Sequence, residues 1–461
     1  MPPAGIASAR NPASRLLTAL LAVAVGIAFA DSSIVVLALP ELYTRFDTSI
    51  EGVAWIVTAY NAAVAVTALA LVFLVHRLQA ARVLAGGLLL FTAASIACAL
   101  AQSLSFLIAA RSVQGIGAAV MLAGSLPVLA SVAGSVVRGA TIWTLAGTFG
   151  AALGPALGGA VTQALGWRAI FATQAPLAAL GLIAVFTAHV SPALEEGWRP
   201  RLAHTVPANA CIGLLFGALV GVLFLSVLLV ITVWGYSPIE GAGIVSVLPA
   251  CTVAARPLEE RLPRWAAVCG GAALLALGLL GLAFLPSASV GFALGSLALC
   301  GAGLGLSIPI LSAGALDLGA GLTRSGTLTI GVRHLGLVLA LASIAPLLAS
   351  ELPPAGHRAE LKATAVLLDG QVGLSKKIPV ALDARAEFDR AKAGEIPDLA
   401  RPFDAHGARH DPALAAVRDR LVAAIEDTIT RSFRWAFVLS AGLAAAALAL
   451  ALTFRHREGF R

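Results

Sequence analysis

The chain has 461 residues, of which 59% are hydrophobic and 12% charged, with a mean hydropathy of +0.91 and a formal net charge of +7. Soluble domains carry about 25% charged residues, so this composition excludes a water-solvated globular protein and leaves a polytopic membrane protein. The five cysteines, Cys98, Cys211, Cys251, Cys269 and Cys300, all fall inside apolar runs, where they read as small buried hydrophobes rather than a disulfide framework or thiolate metal site.

Apolar runs long enough to cross about 30 Å of hydrocarbon recur along the chain. The first, Leu16–Leu39, follows Arg10 and Arg15 and passes through Ala28-Phe29-Ala30, which mimics a leader with its cleavage site. It continues to Pro40, too long for a leader, and predicts an uncleaved first span. Val53–Val75, Val83–Ala101, Leu104–Val132, Ala140–Leu165 and Ala169–Ala188 complete a six-span half, residues 1–188. A polar hinge, 189–207, leads into a second half, 208–461, whose spans are Ala208–Trp234, Ile239–Ala255, Trp265–Leu285, Val290–Ala315, Ser325–Ser350 and Phe433–Phe454. Between its last two spans lies a hydrophilic segment, 351–432, whose acidic and basic residues nearly cancel. Its periodicity predicts a small helical cap interrupted by Pro and Gly, with the last helix feeding the twelfth span. The alternative is an irregular loop; either offers a surface for protein or lipid contact.

Basic residues set the orientation. With the N-terminus inside, fourteen arginines face the cytoplasm: Arg10, Arg15, Arg77, Arg82, Arg138, Arg199, Arg201, Arg256, Arg261, Arg264, Arg324, Arg455, Arg457 and Arg461. The short outer loops hold only Arg45 and Arg168. Both termini are therefore expected in the cytoplasm, in a cell membrane. The pI of 9.6 reports contact with the anionic inner membrane surface rather than nucleic acid.

Charges inside the spans are scarce. Asp31 is the one carboxylate in a first-half span, and Arg111 interrupts an otherwise apolar or small stretch. At 1.5 Å per residue, Arg111 lies about 10 Å and Asp31 about 13 Å from the outer ends of their helices, so the two share a depth. A buried acid and base at one level neutralise each other. They are either a static pair orienting helices or a switch whose acid titrates as its partner moves. Gln114, one turn beyond Arg111, completes the polar cluster. Gly150, Gly154, Gly158 and Gly159 put small residues on one helix face, and Pro155 among them frees a backbone carbonyl and bends the axis, for close packing, for gating, or for both. Arg333 and His334 are the ionisable pair of a second-half span, as cavity lining or as a snorkelled structural pair. Trp55, Tyr60 and Asn61 are candidates for the cavity wall or for ordinary packing. His406 and His410 lack a neighbouring glutamate motif, so no metal site is expected. There is no phosphate-binding G-x-x-x-x-G-K-[ST], which argues against direct ATP drive. No enzyme constellation and no cofactor site emerge.

The halves repeat weakly: His76-Arg77-Leu78, between spans two and three, falls on Glu260-Arg261-Leu262, between spans eight and nine. This suggests parallel repeats about an axis along the membrane normal. ADSSIVVLALP (Ala30 to Pro40), WIVTAYN (Trp55 to Asn61), RSVQGIGAA (Arg111 to Ala119), GTFGAALGPALGG (Gly147 to Gly159), WRAIFATQAP (Trp167 to Pro176) and GYSPIEGAG (Gly235 to Gly243) occur in order. Together they resemble the major facilitator superfamily, and within it the drug:proton antiporter branch that usually has fourteen spans. Two central spans of that branch are absent here. The resemblance implies an all-α bundle of twelve transmembrane helices in two six-helix halves, with GTFGAALGPALGG as the antiporter-motif helix. It also implies a cytoplasmic gate at Arg77, Arg82, Glu260, Arg261 and Arg264. The first-half gate motif is eroded, since its glycines fall on Val72 and Gln79, its aspartate on His76, and two of its arginines on Ala80 and Ala81.

The expected function is proton-coupled secondary transport by alternating access, exporting a hydrophobic or amphipathic small molecule or lipid, with Asp31, Arg111 and Gln114 as the coupling site. A transport-inactive membrane scaffold or lipid-organising protein, and a uniporter or importer of the same fold, are the alternatives.

Overall fold

The computed structural model describes residues 12–187, 202–316, 321–390 and 400–454, with no strand among them. The tails carrying Arg10, Arg455, Arg457 and Arg461, and most of the hinge with Arg199 and Arg201, lie outside the described residues.

The first half comprises α1 (Pro12–Val36), a short α2 (Leu39–Arg45), α3 (Ile50–Leu74), α4 (Ala80–Ala99), α5 (Leu104–Val132), α6 (Val136–Leu165) and α7 (Trp167–Thr187). Serines set three of the starts: the hydroxyls of Ser49, Ser103 and Ser135 each accept the backbone N–H three residues on, satisfying a donor that the helix leaves orphaned. Gly166 ends α6 at a φ of 78°, a conformation that favours glycine, so α7 starts at once.

Helix α6 bends by 43° between Ala151 and Leu153. Pro155 has no N–H for the carbonyl of Ala151 four residues back; that carbonyl lies 3.3 Å from the Ser33 hydroxyl of α1, which also reaches the Ala30 carbonyl at 2.8 Å. Among the described residues eleven other helices are long and apolar enough to cross a membrane, and α6, taken as one bent span, completes the twelve expected.

The second half comprises α8 (Leu202–Val227), which runs into a π turn over Leu228–Val233, then α9 (Pro238–Val245), α10 (Val247–Ala254), α11 (Arg256–Glu259), α12 (Arg264–Ala283), α13 (Val290–Ala315), α14 (Leu322–Asp369), α15 (Leu374–Arg390), α16 (Ala400–Ala405), α17 (Pro412–Thr430) and α18 (Arg434–Phe454). The eighth span is built from α9, α10 and α11 rather than one straight helix. Its start is a capping box: the Ser237 hydroxyl accepts the Glu240 N–H, and the Glu240 carboxylate accepts back from the Ser237 N–H.

Two helices outrun their expected limits, because apolar periodicity marks where the membrane lies and not where helical hydrogen bonding stops. Helix α8 begins at Leu202, inside the stretch read as hinge. Helix α14 runs for 48 residues and continues through Pro353 and Pro354. Both prolines are exposed, so the carbonyls they orphan at Ala349 and Ser350 lie on a polar face. Residues 351–369 thus extend α14 by about 30 Å, and α17 packs back along it. Leu352, Ala359 and Leu367 share a buried cluster with Leu414, Leu421 and Ile425. The expected cap is a stalk in which the α14 extension pairs with α17, with α15 and α16 between them in sequence; among the described residues its breaks fall at glycines 370, 373 and 407 and not at Pro353 or Pro354. Asp411 caps α17 by accepting the Ala413 and Leu414 N–H groups. The Lys376 ammonium, 2.7 Å away, helps hold its carboxyl below the usual range. His406 of the HGARH stretch pairs with Asp383 at 2.8 Å.

The halves meet along α3 with α14 and along α6 with α9. At the end of the bundle away from the termini they are sealed: Ile239 N–H donates to Gln163 Oε1 at 3.1 Å, and Gly159 abuts Pro238 and Ala242. At the terminal end, Arg324 Nε donates to the Val72 carbonyl at 3.1 Å, keeping α14 against α3. A cavity runs from mid-bundle toward that end. One flank descends α6 to Trp143, the other descends α10 and α13 to Arg256 and Leu316.

Candidate functional site

Asp31 of α1 and Arg111 of α5 meet as the depth count predicts. Both are fully buried, with Arg111 Nη1 donating to Asp31 Oδ1 at 2.9 Å and Nη2 in charge contact with Oδ2 at 2.7 Å. Arg111 Nε donates to the Ile56 carbonyl at 3.2 Å, and its guanidinium lies 4.2 Å from the Tyr60 ring centroid and 5.5 Å from that of Phe171. Such a cation is heavily desolvated and depends on its carboxylate.

Gln114 joins the cluster as expected. Its Oε1 accepts from Arg111 Nη1 at 2.6 Å, and its Nε2 donates to Ser95 Oγ and Gln174 Oε1, each at 2.9 Å. Ser95 of α4 and Gln174 of α7 were missed from the sequence. The signal was present in TQAP (Thr173 to Pro176), since an amide in an apolar run needs a polar partner.

A second polar group links the pair to the cavity. Tyr60, whose ring covers Arg111, donates its hydroxyl to the Ala28 carbonyl at 3.0 Å and stands edge-on to His334, 6.3 Å between centroids. His334 Nδ1 lies 2.7 Å from Asn61 Oδ1, across the boundary between the halves. Asn61 Nδ2 donates to the Val57 carbonyl at 2.8 Å, which fixes the amide with its oxygen toward His334. The imidazole Nδ1 is therefore the donor. Ser32 Oγ donates to the same amide oxygen at 3.1 Å, and Ser32, Ser33, Arg333 and His334 all line the cavity.

Three expectations change. Tyr60 and Asn61 are wholly buried behind the cavity wall instead of on it. Trp55 is 55% exposed, on the outside of the bundle; α3 turns it away from the face carrying Tyr60 and Asn61. Of the gate residues, Arg77, Arg82, Glu260, Arg261 and Arg264 are all exposed, and no ion pair joins them to one another among the described residues. At this end, which holds the cavity mouth, the bond from Arg324 to Val72 links the halves instead.

Helix α6 packs as its glycines suggest. A Cβ at Gly150 would strike the Gly26 carbonyl, one at Gly154 the Ser33 hydroxyl, and one at Gly158 the Ile34 carbonyl at 2.5 Å. All three fit α6 onto α1. Gly159 instead faces α9 of the other half, where a Cβ would lie 2.7 Å from the Pro238 carbonyl.

The profile of the Major Facilitator Superfamily matches residues 21–351. Multidrug resistance protein Stp of Mycobacterium tuberculosis (strain CDC 1551 / Oshkosh) is 36% identical over 174 residues, 37% of this chain and 32% of that protein. The methylenomycin A resistance protein of Bacillus subtilis (strain 168) is 32% identical over 175 residues, 37% of this chain and 38% of that protein. The chain thus spans about a third of the length of these curated relatives. The fold is similar to a bacterial homolog of the human lysosomal transporter Spinster, in its inward-facing and unoccupied conformation. The TM-score is 0.63 at 16% identity, over 96% of this chain and 98% of that one, a likeness of fold alone. The profile covers most of the chain, and the chain belongs to the Major Facilitator Superfamily.

Proposed function

We propose that the protein is a proton-coupled secondary active transporter, exporting a hydrophobic or amphipathic small molecule or lipid by alternating access. The observation that carries this reading is the sealed Asp31–Arg111 pair, one residue along α1 from the cavity-lining Ser32. Protonating Asp31 cancels the attraction that holds α1 to α5, and any shift of α1 moves the cavity wall with it. Relatives named for drug resistance favour export, and the arginine asymmetry supports a cavity mouth on the cytoplasmic side of a plasma membrane. The exposed Arg77, Arg82, Glu260, Arg261 and Arg264 are the charges that would approach as that mouth closes.

The test is flux in proteoliposomes under an imposed pH gradient, using a compound first found to raise the melting temperature of the purified protein. Gradient-driven flux is expected in the wild type and lost in Asp31→Asn. Gradient dependence surviving in Asp31→Asn overturns the coupling role, and flux indifferent to the gradient indicates a uniporter. A second reading, a scaffold or lipid-organising protein, is favoured by the stalk. There α15 exposes Leu374, Ile378 and Leu382 at four-residue spacing, a stripe suited to protein or lipid contact. Ligand binding without flux under any gradient supports that reading.

A further inference from the structure

Among the described residues, the cavity lining includes two arginines, Arg256 and Arg333, and no aspartate or glutamate. Arg256 sits near the mouth. Arg333 is eleven residues into α14, about 16 Å along the helix and so near the membrane centre.

No ion pair or hydrogen bond joins Arg333 to any described residue, and its Nε is buried without a partner. Its guanidinium is instead held between two cavity-lining aromatic rings, 4.0 Å from the Phe216 centroid and 4.5 Å from that of Phe29. Ring faces attract a cation but do not neutralise it. At this depth a cation is retained only at considerable cost, and the described polypeptide supplies no carboxylate to offset it. His334, next in the chain, has its Nδ1 committed to Asn61 and its Nε2 without a partner, and it contributes no negative charge in either protonation state. Elsewhere the wall is largely apolar, with Leu219, Leu223, Ile308 and Leu337 among its residues. A wall of this kind accepts a hydrocarbon tail and awaits one anion.

We infer that the cavity takes an anionic amphiphile, its carboxylate, sulfonate or phosphate head paired with Arg333 and its tail on the apolar wall. The inference rests on the transporter reading and names the substrate class for the same cavity. A guanidinium presents two parallel N–H donors to such a head.

Three amphiphiles with the same tail test this: dodecanoate, dodecanol and dodecyltrimethylammonium. Each is titrated into the purified full-length protein in phosphatidylcholine nanodiscs, at a pH where dodecanoate is ionised, with Kd read by calorimetry. No gradient is present, so failure of proton coupling leaves this result intact, and failure here leaves the flux assay intact. Dodecanoate is expected to bind at least about tenfold more tightly than either competitor. Arg333→Gln should bring dodecanoate and dodecanol to similar affinities, with Arg333→Lys between. Should Arg333→Gln fail to fold, the wild-type ranking of the three ligands decides alone. Phosphatidylglycerol added to the nanodiscs separates two sources of the same head chemistry. Displacement of dodecanoate assigns the site to an anionic lipid, and no displacement assigns it to a free amphiphile; both uphold the inference. Equal or tighter binding of the ammonium ligand overturns it, as does an unchanged dodecanoate-to-dodecanol ratio in a folded Arg333→Gln protein.

Discussion

Arg111 and Arg333 are both guanidinium groups deep in the membrane, and the protein surrounds them in opposite ways. Arg111 is wholly enclosed and answered by a carboxylate, a carbonyl and an amide. Arg333 borders open space with two aromatic rings and no carboxylate. The difference separates a charge held by the fold from one left for something that enters. Stability measurements should give the two opposite signs. Removing one member of a buried pair costs about 3–5 kcal/mol because the other charge is stranded, whereas removing both is often near neutral. Asp31→Asn is therefore expected to lower the thermal unfolding midpoint strongly, and Asp31→Asn with Arg111→Gln to recover most of the loss. Arg333→Gln, which removes a charge with no partner to strand, should raise the midpoint of the empty protein. If the double substitution is as unstable as the sum of its singles, the two charges are not each other's compensation.

The paired arginine was legible in the sequence and its surroundings were not. One acid and one base interrupt long apolar runs, and counting residues from the helix ends puts them at equal depth with no knowledge of packing. Gln174 and Ser95 needed the packing, because a lone amide or hydroxyl does not announce which neighbouring helix it faces. Trp55 shows the same limit from the other side: its motif was visible, but the rotation of α3 that turns it outward depends on the neighbours of α3. Twelve spans followed from apolar length. The bend in α6 was legible too, since Pro155 announces it; the serine of α1 beside the freed carbonyl, more than a hundred positions earlier, was not. The stalk was hidden by Pro353 and Pro354, which locally signal a break that tertiary packing of α17 overrides.

Gly158 and Gly159 divide neighbouring positions of one helix between two tasks. Gly158 meets α1 within the first half, while Gly159 meets α9 across the seal. Overpacking a close contact costs about 1–3 kcal/mol, and the two positions should spend it differently. Gly158→Ala is expected to lower the unfolding midpoint with little change in cavity access. Gly159→Ala should loosen the seal, and since each 1.4 kcal/mol is a factor of ten in population, access from the sealed end should rise by about tenfold. Labelling of Val36→Cys, at the inner limit of the cavity, by a membrane-impermeant maleimide reads that access. Equal labelling in both glycine variants would remove the distinction between packing and sealing.

The smallest expected effect belongs to Glu41, a carboxylate at the sealed end, and its sign differs from that of Asp411 on the stalk. Glu41 Oε2 accepts the Trp167 N–H at 3.0 Å, at the start of α7, a favourable place for an anion. Burial nevertheless outweighs that bond and the attraction of Arg168, and pushes its carboxyl above the ordinary 4.5. A raised carboxyl holds its proton in the folded protein at a pH where the unfolded chain has lost it, so its contribution to stability falls as pH rises through the interval above 4.5. Glu41→Gln keeps an acceptor for Trp167 and does not titrate. Its unfolding midpoint should match the wild type below that interval and exceed it slightly above. Asp411, whose carboxyl is lowered, should behave oppositely: the advantage of wild type over Asp411→Asn should shrink as pH falls toward its depressed value. A Glu41→Gln protein that loses stability most at neutral pH would mean that the bond to Trp167 outweighs the burial of the charge. The sealed end would then be held by an ionised carboxylate.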